Sequence, residues 1–140
     1  MKKEMKMEFS SQSENEGFAR VAVGAFIAGL NPTVDELADI KTAVSEAVTN
    51  AIIHGYDQKA GKVWVTCEIE DQNVEIAVID TGKGIADIEK AREPLFTTRP
   101  EWERSGMGFT FMEAFMDEVW VASGPGQGTR VTMRKRIGKA

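Results

Sequence analysis

The 140-residue sequence is short of the residues that build disulfides and metal sites, with one cysteine and one histidine. Cys67 alone cannot form an internal disulfide, and His54 alone leaves no His/Cys set for structural zinc and no metalloprotease pair. The sequence has neither a Gly-x-x-x-x-Gly-Lys-Ser/Thr phosphate loop nor a Gly-x-Ser-x-Gly nucleophile elbow. These absences exclude several common hydrolase and nucleotide-binding chemistries.

Long apolar runs and an excess of positive charge are also missing. The longest apolar run, Val21 to Leu30, is far shorter than the ~20 residues of a membrane-spanning helix, and the first residues contain no apolar core of a signal peptide. The formal net charge is −5 and the pI about 5.0, which gives no electrostatic footprint for nucleic acid. We therefore expect a cytoplasmic protein without a membrane or nucleic-acid partner.

The composition is that of an ordinary globular domain, with 42% hydrophobic and 28% charged residues, which excludes wholesale disorder. No repeat or linker divides the sequence, so we expect residues 1–140 to form a single domain. Helices packed on one face of a mainly antiparallel, mixed sheet give an α+β two-layer sandwich. Hydrophobic periodicity predicts strands at about 5–10, 63–70, 74–80, 118–122 and 129–136, and helices at about 13–29, 33–55, 87–92 and 106–116.

Two helix starts have the spacing of a capping box, in which two side chains and two backbone N–H groups bond reciprocally. Ser13 and Glu16 have this spacing before the first helix, and Thr33 and Glu36 before the second. Gly55 lies where a C-terminal glycine would end the second helix. The sequence therefore predicts where both helices begin and where the second one ends.

The first helix is apolar on nearly all sides, since Arg20 is the only charge from Phe18 to Leu30. A helix of this kind must be covered on nearly all sides. It is either buried centrally in the domain or exposed as a surface for a dimer or another partner. In the second case, the strand and helix at about residues 5–30 form the dimer or partner surface.

A polar row on the second helix conflicts with a purely structural interpretation. Glu46, Asn50 and His54 are four residues apart, so at about 100° per residue they stack along one side of a helix. The row is either a solvated helix face or the wall of a polar site. It borders an apolar stripe that would face the core: Leu37, Ile40, Val44, Ala47, Val48 and Ala51.

Asp80 ends a predicted strand on its buried face, in register with Val74, Ile76 and Val78. A buried carboxylate is costly unless a hydrogen-bond donor meets it. The donor is either the turn that follows or an N–H group of a ligand, and the local sequence supports both equally.

Glycines cluster at the ends of the predicted loops. Gly82 and Gly84 follow the strand that carries Asp80, and Gly106 and Gly108 precede the third helix. Glycine at a helix start allows a ligand to approach the backbone, whose unpaired N–H groups and dipole favour phosphate. A further group lies between the last two strands and is interpreted as a turn: Gly124, Gly126 and Gly128.

Three segments resemble, in family order, the boxes of the GHKL superfamily of ATP-binding domains, the Bergerat fold shared by gyrase, MutL and sensor histidine kinases. The resemblance covers essentially the whole chain and implies that fold, with ATP and Mg²⁺ as cofactors. Pro94-Leu-Phe-Thr-Thr98 and Glu103-Arg-Ser-Gly-Met-Gly-Phe109 are similar to segments of members that are anti-sigma factors and serine kinases. The three boxes are Glu46-Ala-Val-Thr-Asn50-Ala-Ile-Ile-His54-Gly55, Asp80-Thr-Gly82-Lys-Gly84 and Gly106-Met-Gly108.

The resemblance implies a role for each matching residue. Asn50 would ligate Mg²⁺, which prefers hard oxygen ligands. Asp80 would accept a hydrogen bond from the exocyclic amine of adenine, and Thr129 would help to read the adenine edge. Glu46 would be the catalytic base, one helical turn from the metal ligand.

The resemblance also implies which residues surround the nucleotide. Gly82 and Gly84 would shape the base pocket, and Gly106 and Gly108 would let backbone N–H groups reach the phosphates. Residues from about 85 to 105 resemble the mobile ATP lid. Within this lid, Arg104 is the candidate for a contact with the γ-phosphate, and Thr97, Thr98 and Arg99 are weaker candidates for such a contact. The implied nucleotide-binding set is Asn50, Asp80, Gly82, Gly84, Thr97, Thr98, Arg104, Ser105, Gly106, Met107, Gly108 and Thr129.

The resemblance finally implies a function: an ATP-dependent protein serine kinase that phosphorylates an anti-anti-sigma partner and holds a sigma factor in complex. The apolar first helix suggests a homodimer, with Arg20 at or near a partner-binding surface. Two alternatives stay open, because Glu46 could instead activate water or have no catalytic role. They are a GHKL ATPase module and a non-catalytic, nucleotide-gated binding protein.

Overall fold

The computed structural model describes residues 2–56, 59–85, 87–88, 92 and 108–138. Over these residues the chain forms three α-helices and five β-strands. In chain order they are β1 (Lys2–Ser10), α1 (Asn15–Ile27), α2 (Val34–Asn50), β2 (Lys62–Glu70), β3 (Asn73–Asp80), α3 (Gly108–Phe115), β4 (Glu118–Ser123) and β5 (Thr129–Arg136). A 3₁₀ turn, Ala28–Leu30, follows α1, and a π-helix, Ala51–Gly55, continues α2.

The five strands form one sheet in the order β1-β2-β3-β5-β4, and each of its four pairings is antiparallel. The expected α+β two-layer sandwich is confirmed. The sheet was expected to be mixed, but the described strands form no parallel pair. β3 is the middle strand, and its last residue, Asp80, lies opposite Val63 of β2 and Thr129 of β5. The end of β3 therefore places a carboxylate between two neighbouring strands.

The core lies between the helices and one face of the sheet. Val63, Val65 and Cys67 alternate along β2 and are fully buried, and α2 contributes Ile40 and Val44 from its apolar stripe. Burial of an aliphatic side chain of this size stabilises the fold by roughly 1.5–3 kcal/mol. The stripe predicted on α2 is thus confirmed, and it determines which side of that helix remains for the polar row.

The start of α2 is capped as expected. Thr33 Oγ1 accepts a hydrogen bond from the Glu36 N–H at 3.0 Å, and Glu36 Oε1 accepts one from the Thr33 N–H at 2.9 Å. The other carboxylate oxygen of Glu36 accepts from the N–H of Gly138 at 2.8 Å. The cap therefore also holds the segment that follows β5.

The capping box expected at Ser13 and Glu16 is not formed. The helix begins at Asn15, Glu14 at its N-cap already has helical angles, and no side chain caps it. The side-chain amide of Asn15 instead donates to the carbonyl of Ser10 at 2.8 Å. The start of α1 is thus tied to the end of β1, and this connection replaces the local cap.

α1 is buried on one side only. Ala19, Val23 and Ile27 are fully buried, whereas Phe18 is 65% exposed and Val21 is 62% exposed. Central burial is therefore the wrong one of the two interpretations, and an apolar strip of α1 remains on the surface.

None of the helices within the described ranges is long and apolar enough to cross a membrane.

Candidate functional site

Glu46 and Asn50 lie one turn apart near the end of α2, and both side chains reach the start of α3. A Cβ atom on Gly108, the first residue of α3, would lie 3.2 Å from Asn50 Oδ1 and 3.4 Å from Glu46 Oε2. Both side chains are partly exposed. The glycine thus lets the N-terminus of a helix, which favours negative charge, approach an amide and a carboxylate.

His54, the third member of the expected row, lies in the π-helix rather than in α2. A π-helix bonds residue i to residue i+5, so it turns less per residue than an α-helix. The four-residue spacing therefore displaces His54 from the line through Glu46 and Asn50. The structure brings the first two residues of the row together at Gly108, and places the third in a different type of turn.

Asp80 forms the other end of the candidate site and is 5% exposed, as its strand register predicts. Its Oδ1 accepts a hydrogen bond from the N–H of Gly82 at 2.9 Å, so the following turn supplies one of the expected donors. Burial raises the pKa of the Asp80 carboxyl to about 6, while the N–H groups of Gly82 and Thr129 donate to it and act in the opposite direction. The buried charge is thus only partly compensated within the chain.

Glycines let separate backbone segments close around Asp80. A Cβ atom on Gly55 would lie 2.9 Å from Asp80 Oδ1, and one on Gly82 would overlap the carbonyl group of Gly55. The N–H of Lys83 donates to that same carbonyl at 2.9 Å. The helical segment ends at Gly55 as expected, but as the last residue of the π-helix and without the positive φ of a C-terminal glycine cap. The absence of a side chain at Gly55 instead allows the close approach to Asp80.

The loop between β4 and β5 completes the Asp80 end. The N–H of Gly128 donates to the carbonyl of Gly82 at 3.1 Å. Gly84 and Gly128 have positive φ angles of 78° and 74°, and a Cβ atom on Gly84 would overlap the carbonyl of Gly124. The interpretation as simple turn residues is therefore incomplete for Gly124 and Gly128, since both contact the turn that follows Asp80.

Thr129 begins β5 directly opposite Asp80 and is 9% exposed. Its hydroxyl oxygen lies 2.9 Å from Oγ of Ser123, the last residue of β4. Thr129 is therefore beside Asp80. Sequence reasoning missed Ser123, whose only signal is its position at the end of a strand.

Tyr56 is a second residue that sequence reasoning missed. Its Oη accepts a hydrogen bond from the N–H of Thr81 at 2.8 Å and donates to the carbonyl of Lys62 at 2.5 Å. Tyr56 therefore ties the end of the π-helix both to β2 and to the residue after Asp80. Its available signal is that the only tyrosine of the chain directly follows the first box.

Several expected site residues lie outside the described part of the chain. They include most of the expected lid at about 85–105. The individual residues are Thr97, Thr98, Arg99, Arg104, Ser105, Gly106 and Met107. Of the short helix expected at about 87–92, Asp87, Ile88 and Arg92 are described, and the N–H of Arg92 donates to the carbonyl of Ile88 at 3.1 Å.

The side-chain oxygens at the start of α3 are hard ligands of the kind that Mg²⁺ prefers. Among the described residues, no group of three or more His, Cys, Asp and Glu side chains is arranged to hold a metal ion. Asn50 Oδ1 lies at the start of α3, and Mg²⁺ typically combines one or two protein oxygens with phosphate oxygens and water. Asn50, with Glu46 beside it, thus fits a Mg²⁺ ion whose other ligands come from a bound phosphate chain.

Comparison with protein families identifies the family to which the chain belongs. The model of the histidine kinase-like ATPase domain matches residues 9–135, from the end of β1 almost to the end of β5. The chain belongs to this family. The expected GHKL resemblance is thereby confirmed, and a histidine kinase-like ATPase domain is a nucleotide-binding unit.

Curated relatives share more than half of their residues with this histidine kinase-like ATPase domain. The anti-sigma F factor of Pasteuria penetrans is 62% identical over 135 residues, which cover 95% of this chain and 90% of the relative. The anti-sigma F factors of Geobacillus thermodenitrificans and Bacillus subtilis are 60% and 57% identical over 141 residues, covering 100% of this chain and 97% of each relative. The chain is thus similar to these proteins over nearly their full length.

A solved structure shares the fold of this histidine kinase-like ATPase domain at lower identity. It contains the RsbU and RsbW domains of a protein from Mycobacterium tuberculosis, with a TM-score of 0.70 and 23% identity. The match covers 99% of this chain and 33% of the other, so the chain spans about a third of that longer protein. The likeness supports the fold alone.

Proposed function

We propose that the protein is an ATP-dependent protein serine kinase that also holds a sigma factor in complex. The observation that carries the proposal is the meeting of Glu46, Asn50 and Gly108 at the start of α3. Phosphoryl transfer requires charge neutralisation and a residue that orients the nucleophile beside the γ-phosphate, and both residue types meet here. The name anti-sigma F factor, carried by relatives at 62% and 57% identity, supports the sigma-factor partner.

The base of ATP fits the Asp80 end. An ionised carboxylate accepts hydrogen bonds only, at about four lone-pair sites, so Asp80 retains capacity to accept one from a ligand after the N–H groups of Gly82 and Thr129 are bound. The exocyclic amine of adenine is a donor of this kind. Gly82 and Gly84 leave the walls without side chains, and Thr129 lines the same end.

The triphosphate fits the opposite end. The start of α3 offers unpaired backbone N–H groups and the positive end of the helix dipole, and Gly108 adds no side chain. Asn50 Oδ1 would hold Mg²⁺, which when bound neutralises charge on the phosphates. The implied contacts of Gly106 and of the lid belong to the same proposal.

In the proposed reaction, Glu46 accepts the proton of a serine hydroxyl on the substrate protein. The serine oxygen forms a bond to the γ-phosphorus, and the bond between that phosphorus and the β–γ bridging oxygen breaks. The products are phosphoserine and ADP. The family resemblance implies that the substrate is an anti-anti-sigma protein.

The exposed strip of α1 is the candidate surface for a homodimer and for the sigma factor. Phe18 and Val21 are large apolar residues that are 65% and 62% exposed, and such a patch is typical of an interaction surface. Arg20 is exposed beside them, and its Nη1 lies 3.7 Å from Glu16 Oε1. A surface ion pair of this kind holds a side chain weakly, so Arg20 can turn to a partner. A sigma-factor partner would place the protein in the cytoplasm.

Light scattering tests the dimer. The wild type should have the mass of a dimer at micromolar concentration, and the double substitution Phe18→Ser and Val21→Ser should shift it towards the monomer. Val34→Ser is the matched control, because Val34 is 83% exposed at the start of α2. A monomeric wild type would contradict the dimer.

Labelled ATP tests the kinase activity. The purified protein is incubated with γ-labelled ATP, Mg²⁺ and candidate anti-anti-sigma proteins, with and without a sigma factor. We expect label on a serine of the substrate protein. Free labelled phosphate as the sole product would indicate an ATPase, and unchanged ATP would indicate a nucleotide-gated binding protein.

A further inference from the structure

Ser123 makes three hydrogen bonds at the Asp80 end of the site. Its Oγ lies 2.8 Å from the nitrogen of Ile85, 2.8 Å from the carbonyl oxygen of Gly128 and 2.9 Å from Thr129 Oγ1. A hydroxyl group has one proton to donate and two lone pairs that accept. These three partners therefore use the full capacity of the Ser123 hydroxyl.

The direction of each hydrogen bond follows from the chemistry of the partners. A carbonyl can only accept, so the proton of Ser123 points to the oxygen of Gly128. A backbone N–H can only donate, so Ile85 fills one lone pair of Ser123. The Thr129 hydroxyl must then donate its proton to Ser123, which leaves Thr129 Oγ1 with acceptor lone pairs only.

Thr129 and Asp80 lie on the same face of the sheet. They are directly opposite each other in the antiparallel register of β3 and β5, and side chains of opposed residues are neighbours. Ionised Asp80 is an acceptor, and the bond to Ser123 makes Thr129 a second acceptor beside it. A ligand at this end is therefore favoured if it brings N–H donors rather than a carbonyl group.

We propose that Ser123 is a positioning residue that sets the Thr129 hydroxyl as an acceptor, so that Thr129 and Asp80 together select the exocyclic amine of a purine nucleotide. The amine carries two N–H groups, which match two acceptors directly or through an ordered water. A 6-oxo purine presents a carbonyl to the same acceptors. The inference rests on the proposed function, because it assumes that the base of ATP binds at this end.

Two nucleotides that differ only in the amine provide the test: ATP, and purine riboside triphosphate, which carries hydrogen in its place. Ser123→Ala should weaken ATP binding about threefold to tenfold, the size of one hydrogen bond. It should leave the affinity for purine riboside triphosphate within about twofold, because that nucleotide lacks the group that Thr129 reads. Titration calorimetry measures both affinities.

Two further variants separate positioning from support of the fold. Thr129→Val should reproduce the pattern of Ser123→Ala, and the double variant should bind ATP no more weakly than Thr129→Val does. Ser123→Thr keeps a hydroxyl group and should retain the preference for ATP over purine riboside triphosphate. These results would show that Ser123 affects ATP affinity through the Thr129 hydroxyl.

An equal loss of affinity for both nucleotides in Ser123→Ala would overturn the inference. If Ser123 only supported the backbone at Ile85, its loss would weaken the binding of ATP and of purine riboside triphosphate by the same factor. A further loss of ATP affinity in the double variant would also overturn it. If Ser123→Ala does not fold, an unchanged ratio of the two affinities in Thr129→Val overturns the inference. A wild type that binds neither nucleotide refutes the proposed function itself, and the inference with it.

Discussion

The two ends of the candidate site are built in different ways. The Asp80 end is closed by main-chain contacts between glycine-bearing segments that are distant in sequence, and Asp80 is 5% exposed. The other end consists of Glu46 and Asn50, two partly exposed side chains on one helix that meet the first residue of another. One end is shaped by close approach of the backbone, and the other by placement of side chains.

Under the proposed function, the Asp80 end recognises the base and the Glu46 end supports phosphate transfer. At a closed end, a ligand group of the wrong hydrogen-bonding type leaves a buried partner unpaired, which costs about 1–3 kcal/mol. At an open end, a second reactant can approach the base. We therefore expect substitutions at the Asp80 end to change nucleotide affinity, and substitutions at the Glu46 end to change the rate of transfer.

The largest effect is expected from Glu46→Ala. Loss of a general base should slow phosphate transfer by roughly 10²–10⁴-fold, with ATP affinity within about twofold of the wild type. Transfer of label to the substrate protein gives the rate, and calorimetry gives the affinity. Glu70→Ala, which removes an exposed carboxylate at the end of β2, is the matched control. Unimpaired transfer by Glu46→Ala would rule out Glu46 as the base.

Asp80→Asn should have the next largest effect, on affinity. Its amide presents N–H groups where the ligand amine needs an acceptor, so ATP binding should weaken by roughly 1.5–3 kcal/mol, or about 10- to 150-fold. Calorimetry measures the change. Asp71→Asn makes the same chemical change at an exposed turn whose φ of 56° suits asparagine, and it should bind normally. Equal ATP affinities of Asp80→Asn and the wild type would contradict adenine recognition by Asp80.

The pH dependence of binding should follow the titration of Asp80. Burial raises the pKa of this carboxyl to about 6, and a protonated carboxyl accepts a hydrogen bond less well than an ionised one. ATP affinity should therefore fall as the pH is lowered through about 6. Asp80→Asn should not show this fall in ATP affinity near pH 6. The comparison therefore distinguishes the titration of Asp80 from the titration of the ATP phosphates. A wild type whose pH profile matches that of Asp80→Asn would contradict the prediction.

The stability of the nucleotide-free protein should change with pH in the opposite direction. Because the pKa of Asp80 lies above its ordinary value of 3.8, folding favours the protonated form. The contribution of Asp80 to the free energy of unfolding is therefore full below about pH 4 and lost as the pH rises through about 6. Thermal unfolding at neutral pH should show a higher Tm for Asp80→Asn than for the wild type. A lower Tm would show that the ionised carboxylate stabilises the fold.

The smallest effect is expected outside both ends of the site, at the cap of α2. Thr33→Ala removes a formed capping box and should lower the free energy of unfolding by about 1 kcal/mol. Ser13→Ala is the matched control, because Ser13 does not cap α1, and it should change stability by no more than a few tenths of a kcal/mol. Urea denaturation measures both. Equal losses in the two variants would contradict the difference between the two helix starts.

Sequence patterns predicted the strands, the three α-helices of the described residues and the α2 cap because these depend on residues a few positions apart. They failed where distant segments meet. The cap at Ser13 is replaced by a bond from Asn15 to the end of β1, and no local pattern predicts the close approach of Gly55 to Asp80. Periodicity also does not report that Ser123 orients a hydroxyl on the neighbouring strand, because that contact arises from strand pairing.

The most direct test of the proposed nucleotide site is a crystal structure of the protein with a non-hydrolysable ATP analogue and Mg²⁺. We expect the adenine amine within hydrogen-bonding distance of Asp80, with Mg²⁺ on Asn50 Oδ1 and the γ-phosphate beside Glu46. A nucleotide bound in the reverse orientation, or at another surface, would contradict it.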